Sequence, residues 1–135
     1  MLLIILIFRV NAQTSGCPQN RTLSAATGFF EDGSGNENYM NNLYCSWVIA
    51  PLGAVSISIS VTNLDLGFGD ALRIYRGSDA TGILVAEYLR GATPTTLNVE
   101  GGKAFVEFVT DGISVGQGWQ ISYSPANAPC IPPQH

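Results

Sequence analysis

The chain has 135 residues, of which 46% are hydrophobic and only 12% are charged. This length is that of one domain, and this composition is unlike that of a disordered chain. Ten acidic residues stand against six basic ones, so the net field repels a polyanion and we expect no nucleic-acid partner.

The first twelve residues have the pattern of a secretory signal peptide. Residues 2–8 form an unbroken apolar run, and residues 10–12 (Val-Asn-Ala) supply small side chains at the spacing that a signal peptidase needs. An apolar run this short cannot cross a bilayer core about 30 Å thick, so we expect no membrane span. The prediction is a secreted chain that begins at Gln13. Asn20 then opens an N-glycosylation sequon on an exposed loop.

Three cysteines stand at positions 17, 45 and 130, a spacing that does not suit a zinc site. In an oxidising compartment Cys17 and Cys45 can pair. Closing a loop of about 29 residues would stabilise the fold by roughly 3.5 kcal/mol on the chain-entropy model. Cys130 is then left over in a Pro-rich tail over 125–135. Two interpretations of Cys130 remain open: a bridge to a partner outside this sequence, or a free thiol.

Period-two alternation of apolar and polar residues dominates the rest of the chain. From Val55 to Val61 every apolar residue falls on one face and every serine on the other, which predicts a half-buried strand. The other predicted strands are 44–49, 71–75, 84–89, 95–99, 104–109 and 119–123. Gly- and Pro-rich breakers separate them, and no window has the 3.6-residue stripe of a stable helix.

This pattern predicts an all-β fold over residues 13–124. We expect an antiparallel β-sandwich of seven to eight or more short strands in two sheets. The predicted inward-facing residues are Trp47, Ile49, Val55, Ile57, Ile59, Val61, Leu72, Ile74, Val106, Phe108, Trp119, Ile121 and Tyr123.

Four stretches match motifs of CUB domains in the right order and with the right separations. They are 39–51 (Tyr-Met-Asn-Asn…Cys-Ser-Trp-Val-Ile…Pro), 70–77 (Asp-x-Leu-x-Ile-x-x-Gly), 106–111 (Val-x-Phe-x-Thr-Asp) and 118–123 (Gly-Trp-x-x-x-Tyr). From Cys17 to about Ser124 the chain therefore resembles a CUB domain, which implies a jelly-roll-like sandwich that acts as an extracellular binding module. Met40 replaces the usual proline, and the second disulfide common in the family has no cysteines here.

The resemblance also implies a calcium site. In calcium-binding members the ion is held by a Glu and an Asp of the middle acidic loop and by the Asp that ends the Val-x-Phe strand. Asp70 and Asp111 occupy two of those positions. Gly67 stands near the position of the glutamate, and Asp65 is the candidate substitute. The alternative is that Asp70 and Asp111 only cap turns by accepting backbone N–H bonds.

The same resemblance marks a contact surface for a partner protein. Tyr39 matches the family tyrosine beside the ion, so Tyr39, Asp65, Asp70 and Asp111 form the candidate surface, on which a partner's Lys or Arg would dock. The alternative for Tyr39 is a half-buried aromatic that anchors the loop before Cys45.

Two other functions remain open, and we expect no catalysis. A carbohydrate-binding module would need exposed aromatics, for which Phe29, Phe68 and Phe105 are the candidates, although we expect Phe29 and Phe30 in the core. An accessory targeting domain of a larger secreted protease is the other. The one histidine, His135, ends the Pro-rich tail, so no Ser-His or Cys-His pair can be held rigidly.

Overall fold

The computed structural model describes residues 17–126, and in that range the regular structure is nine β-strands without a helix. The strands are β1 (Arg21–Leu23), β2 (Gly28–Glu31), β3 (Tyr44–Ile49), β4 (Ser56–Asp65), β5 (Ala71–Arg76), β6 (Ile83–Tyr88), β7 (Thr95–Glu100), β8 (Ala104–Val109) and β9 (Gly118–Pro125). The seven predicted strands are present, two of them with the predicted bounds. Neither β1 nor β2 is among the predicted strands, since both are too short to display an alternation.

The strands form two sheets that pack face to face. One sheet has the order β1-β3-β8-β5-β6 and the other has the order β2-β9-β4-β7. All neighbours are antiparallel except β1 and β3, which pair in parallel. The predicted all-β sandwich is confirmed.

The core lies between the sheets and is built from the alternating apolar residues. Trp47 and Trp119 meet at its centre, edge to face with ring centroids 5.1 Å apart, and Phe30 packs against both. Every residue predicted to face inward is buried except Val55, which is 51% exposed. That prediction was wrong because β4 begins one residue later, at Ser56, so Val55 belongs to the preceding turn.

A disulfide joins Cys17 to Cys45, with the Cα atoms 5.5 Å apart, as the sequence predicted. It fastens the beginning of the described chain to β3, beside the short strand β1. The predicted signal segment, the chain start at Gln13 and Cys130 lie outside the described residues. Within residues 17–126 there is no helix with the length and apolar character that a membrane span requires.

The topology gathers three connections at one end of the sandwich. They are the β2–β3 connection (32–43), the β4–β5 loop (66–70) and the β8–β9 loop (110–117), which we call together the loop end. Strands β2 and β4 run in the same direction and β9 begins beside their ends, while β3 and β5 both begin opposite Val109, where β8 ends. The antiparallel registers therefore bring three segments that are distant in sequence to one place.

Candidate functional site

All four residues of the predicted contact surface lie at or beside the loop end. Asp65 ends β4 and is exposed, while Asp111 follows β8 and is partly buried. Asp70, which precedes β5, is 1% exposed, and Tyr39 is 3% exposed. We call Asp65 and Asp111, which reach solvent, the outer aspartates, and we call buried Tyr39 and Asp70 the inner pair.

The inner pair forms a buried hydrogen-bonded link between two connections. The Tyr39 hydroxyl donates to Asp70 Oδ2 over 2.5 Å and accepts the Gly67 N–H over 2.7 Å. Its ring packs edge-on against Phe108, with centroids 4.9 Å apart. Burial, followed by the hydrogen bond to Asp70, raises the pKa of Tyr39 well above its usual range. The hydroxyl therefore keeps its proton and remains a donor at neutral pH.

The second oxygen of Asp70 reaches the third connection. Asp70 Oδ1 accepts the backbone N–H of Asp111 over 2.9 Å, so one buried carboxylate fixes both Tyr39 and the beginning of the β8–β9 loop. The outer aspartates each accept one backbone N–H: Asp111 Oδ1 accepts that of Ile113 over 3.0 Å, and Asp65 Oδ2 accepts that of Gln117, in the β8–β9 loop, over 2.8 Å. The bond from Ile113 to Asp111 is of the turn-capping kind that the sequence left open as the alternative.

No internal cation neutralises these carboxylates within the part of the chain that the structure describes. The ion pairs there belong to Arg73, which contacts Glu87 at 2.8 Å and Glu107 at 3.4 Å. Arg90 reaches the loop end, where its guanidinium carbon lies 5.2 Å from the centroid of the Phe68 ring, but it forms no ion pair with these carboxylates. The loop end is therefore a region of net negative charge open to a cationic group from outside.

The three aspartates do not form a metal site as they stand. Among residues 17–126 no three acidic, histidine or cysteine side chains are grouped so that they could hold an ion. Gly67, near the position of the family's glutamate, has no room for a side chain: a Cβ atom there would lie 2.7 Å from the backbone carbonyl of Ser114. A glutamate at position 67 would require the β8–β9 loop to move.

The loop end also carries an apolar pocket, of which sequence reasoning singled out Phe68 but missed Ile113. Phe68 and Ile113 are 66% and 77% exposed, and with Gly69 and Asp111 they line an open pocket of about 250 Å³. Ile113 stands in the turn-rich segment after β8, where a large apolar residue is unusual. An apolar residue among turn residues was therefore the sequence signal that could have identified this feature.

Two expectations about aromatic residues were wrong, and a third was met. Phe29, expected in the core, is 62% exposed because alternation along β2 turns Phe30 inward and Phe29 outward. Phe105, offered as an exposed candidate, is 3% exposed because β8 is the central strand of its sheet and Tyr75 covers the ring from β5. Phe68 is exposed as expected, and so is Asn20, just before β1.

The fold and the site together define a small β-sandwich domain with an acidic loop end. A family model described as "CUB domain" matches residues 17–123, so the chain belongs to the CUB family. The resemblance drawn from four short motifs is confirmed. CUB domains are generally extracellular protein-interaction modules and typically lack catalytic activity.

The chain is also similar to parts of larger known proteins. It is 24% identical over 128 residues to a cubilin homolog of Drosophila melanogaster, covering 91% of this chain and 3% of that protein. It is 27% identical over 110 residues to an astacin-like metalloendopeptidase of Coturnix japonica, covering 77% of this chain and 27% of the enzyme. The chain thus spans only a small part of these curated relatives.

The solved structures agree with the fold. The CUB2 domain of MASP-1, solved bound to Ca²⁺, superposes with a TM-score of 0.67 at 16% identity, over 78% of this chain and 98% of that domain. At this level of identity the likeness concerns the fold.

Proposed function

We propose that this chain is a secreted, non-catalytic module that recognises another extracellular protein through its loop end. The observation that carries the proposal is the set of carboxylates without an internal cation among the described residues. Asp65 and Asp111 are the outer members, which a partner's Lys or Arg would meet first. Tyr39 and Asp70 lie beneath them and hold the loops in place. Charge-assisted contacts of this kind strengthen as water is excluded.

The test compares Asp111→Asn with a matched control in a screen of immobilised extracellular proteins. Asp79 is the control, because it lies in the β5–β6 hairpin, away from the loop end, and caps the Thr81 N–H as Asp111 caps that of Ile113. We expect Asp79→Asn to bind like the wild type and Asp111→Asn to bind at least about tenfold more weakly. Equal binding by the two variants would assign recognition to another surface.

Calcium is proposed as an assisting ion at the same place. Asp65, Asp70 and Asp111 would supply hard oxygen ligands, the type that Ca²⁺ prefers, but they would have to move together to do so, because as they stand they are not grouped around one position. A Ca²⁺-bound structure of a protein with the same fold supports the idea. The hydrogen bonds that these carboxylates now make argue for weak binding, since an ion would compete with them.

Titration calorimetry and thermal melting at millimolar Ca²⁺ test this part separately. Binding should raise the melting temperature of the wild type, and Asp111→Asn should abolish the rise. An absence of both heat and melting shift would remove calcium from the proposal and leave protein recognition intact.

Carbohydrate binding is the second candidate, and a different face of the molecule favours it. The exposed ring of Phe29 borders an open depression of about 500 Å³ on the outer face of the second sheet, rich in hydroxyl groups. An exposed ring beside hydroxyls is suited to a sugar. A glycan array would support this function if wild-type binding were lost in Phe29→Ser and kept in Asp111→Asn.

A place within a larger secreted protein is also proposed, either a multidomain extracellular chain or a protease for which this module would be the targeting domain. The match to about a quarter of an astacin-like metalloendopeptidase supports it. The predicted signal peptide, glycosylation at Asn20 and a bridge from Cys130 to an outside partner belong to the same proposal. The full open reading frame of the transcript, with mass spectrometry of the secreted form, tests all of these points.

A further inference from the structure

The pocket lined by Phe68, Gly69, Asp111 and Ile113 combines an apolar wall with a carboxylate. Its open volume of about 250 Å³ exceeds that of a branched aliphatic side chain, so one such side chain fits with space left over. Phe68 and Ile113 present large apolar surface to solvent at the same end as the aspartates. Exposed apolar groups rimmed by polar residues are typical of interaction sites.

Local contacts hold the pocket in shape. The Ser114 hydroxyl accepts the Phe68 N–H over 2.7 Å, which ties the β4–β5 loop to the β8–β9 loop. Asp111 caps the turn that carries Ile113. Arg90 lies over the ring of Phe68, a cation–π contact that restricts its position. A pre-formed pocket of this kind loses little side-chain freedom when it is filled.

The carboxylate of Asp111 supplies the polar half of the pocket. Its Oδ1 atom is used by the Ile113 N–H, whereas Oδ2 accepts no hydrogen bond from the described residues. Oδ2 lies directly over Gly69, since a Cβ atom there would be 1.9 Å from it. An aliphatic group in the pocket would therefore lie beside an oxygen that is available to a cation.

We propose that the loop end recognises a polypeptide segment in which an aliphatic residue adjoins a basic one. The aliphatic side chain fills the space between Phe68 and Ile113, and the basic side chain reaches Asp111 Oδ2. This inference rests on the proposed function and adds the partner's chemistry to it. It favours a peptide over a sugar at this place, because Arg90 already covers one face of the Phe68 ring.

Three short peptides test the proposal on the ¹⁵N-labelled full chain by NMR titration. They are the acetylated and amidated sequences Gly-Leu-Lys-Gly, Gly-Ser-Lys-Gly and Gly-Leu-Gln-Gly. We expect the Leu-Lys peptide to bind most tightly and to shift the amides of Phe68, Gly69 and Ile113. Ile113→Ser should weaken it about tenfold and leave the Ser-Lys peptide unaffected. Ile83→Ser, a change at a similarly exposed isoleucine on edge strand β6, is the control and should change neither.

The other possible outcomes each contradict a specific part of the proposal. If Ile113→Ser binds the Leu-Lys peptide as tightly as the wild type does, while Asp111→Asn loses binding, the aliphatic side chain does not bind in this pocket. The proposed function would then still stand. Binding that is insensitive to Asp111→Asn would overturn both this proposal and the proposed function. Shifts at Phe68 and Ile113 that depend on protein concentration without peptide would assign the pocket to a second copy of the chain. Unchanged melting temperatures of the variants exclude unfolding as the cause.

Discussion

Removal of a single oxygen atom tests how the loop end is held together. Tyr39→Phe keeps the ring against Phe108 and deletes the hydroxyl that joins Asp70 to Gly67. Two buried groups then lose their partner: the Oδ2 atom of a carboxylate that is 1% exposed, and the N–H of buried Gly67. The deletion leaves space for at most a water in place of the hydroxyl.

The expected cost follows from these two losses. A hydrogen bond to a charged group contributes about 1.5–3 kcal/mol, and a buried donor without a partner costs about 1–3 kcal/mol. The two overlap because they share one hydroxyl, so we expect the free energy of unfolding to fall by about 2–4 kcal/mol.

Urea denaturation followed by tryptophan fluorescence measures this change, since Trp47 and Trp119 lie in the core. Tyr88→Phe is the matched control: that tyrosine is 5% exposed, and its hydroxyl bonds to the neutral Thr95 hydroxyl. Its loss should cost about 0.5–1.5 kcal/mol. If Tyr39→Phe destabilises the protein no more than Tyr88→Phe does, the buried link does not hold the loops as described.

Two further perturbations concern stability elsewhere. Replacing Cys17 and Cys45 together by serine should lower the free energy of unfolding by roughly 3.5 kcal/mol in urea, and a loss as small as that of a surface mutation would contradict the role of the bridge. Asp32 is 3% exposed, its Oδ2 atom has no hydrogen-bond partner among the described residues, and burial raises its pKa above 3.8. The folded state then holds this proton to higher pH than the unfolded chain, so this group's contribution to stability falls as pH rises from 3.8 through the folded-state pKa. Asp32→Asn should remove that dependence, because the amide does not titrate in this range; denaturation curves from about pH 3 to 7 check it, and identical pH profiles would refute it.

Much of the sandwich could be predicted because alternation along a strand is a local property. Residues 55–61 display period two, and whichever partner strand they find, their isoleucines must leave water together. The order of the CUB motifs then identified the family. The same local reasoning failed at Val55, where a strand boundary moved by one residue, and at Phe105, whose burial depends on a neighbour from another strand.

The candidate site, too, could be predicted only in part. Sequence motifs selected Tyr39, Asp65, Asp70 and Asp111, and the antiparallel registers bring them to one end. The difference between buried Asp70 and exposed Asp65 could not be predicted, because burial is set by the side chains that pack around each carboxylate. The pocket beside Ile113 could not be predicted either, because it exists only where two loops separated by some forty residues meet.

The amino-acid sequence by itself determined the class of fold, the family, the disulfide pair and the acidic residues to consider, since these depend on residue type and spacing along the chain. Tertiary structure alone decided which carboxylates face solvent, which ones hold the loops together, and where apolar surface adjoins them. Those properties depend on distances through space between segments far apart in the chain, and folding sets these distances by burying both sheets against each other.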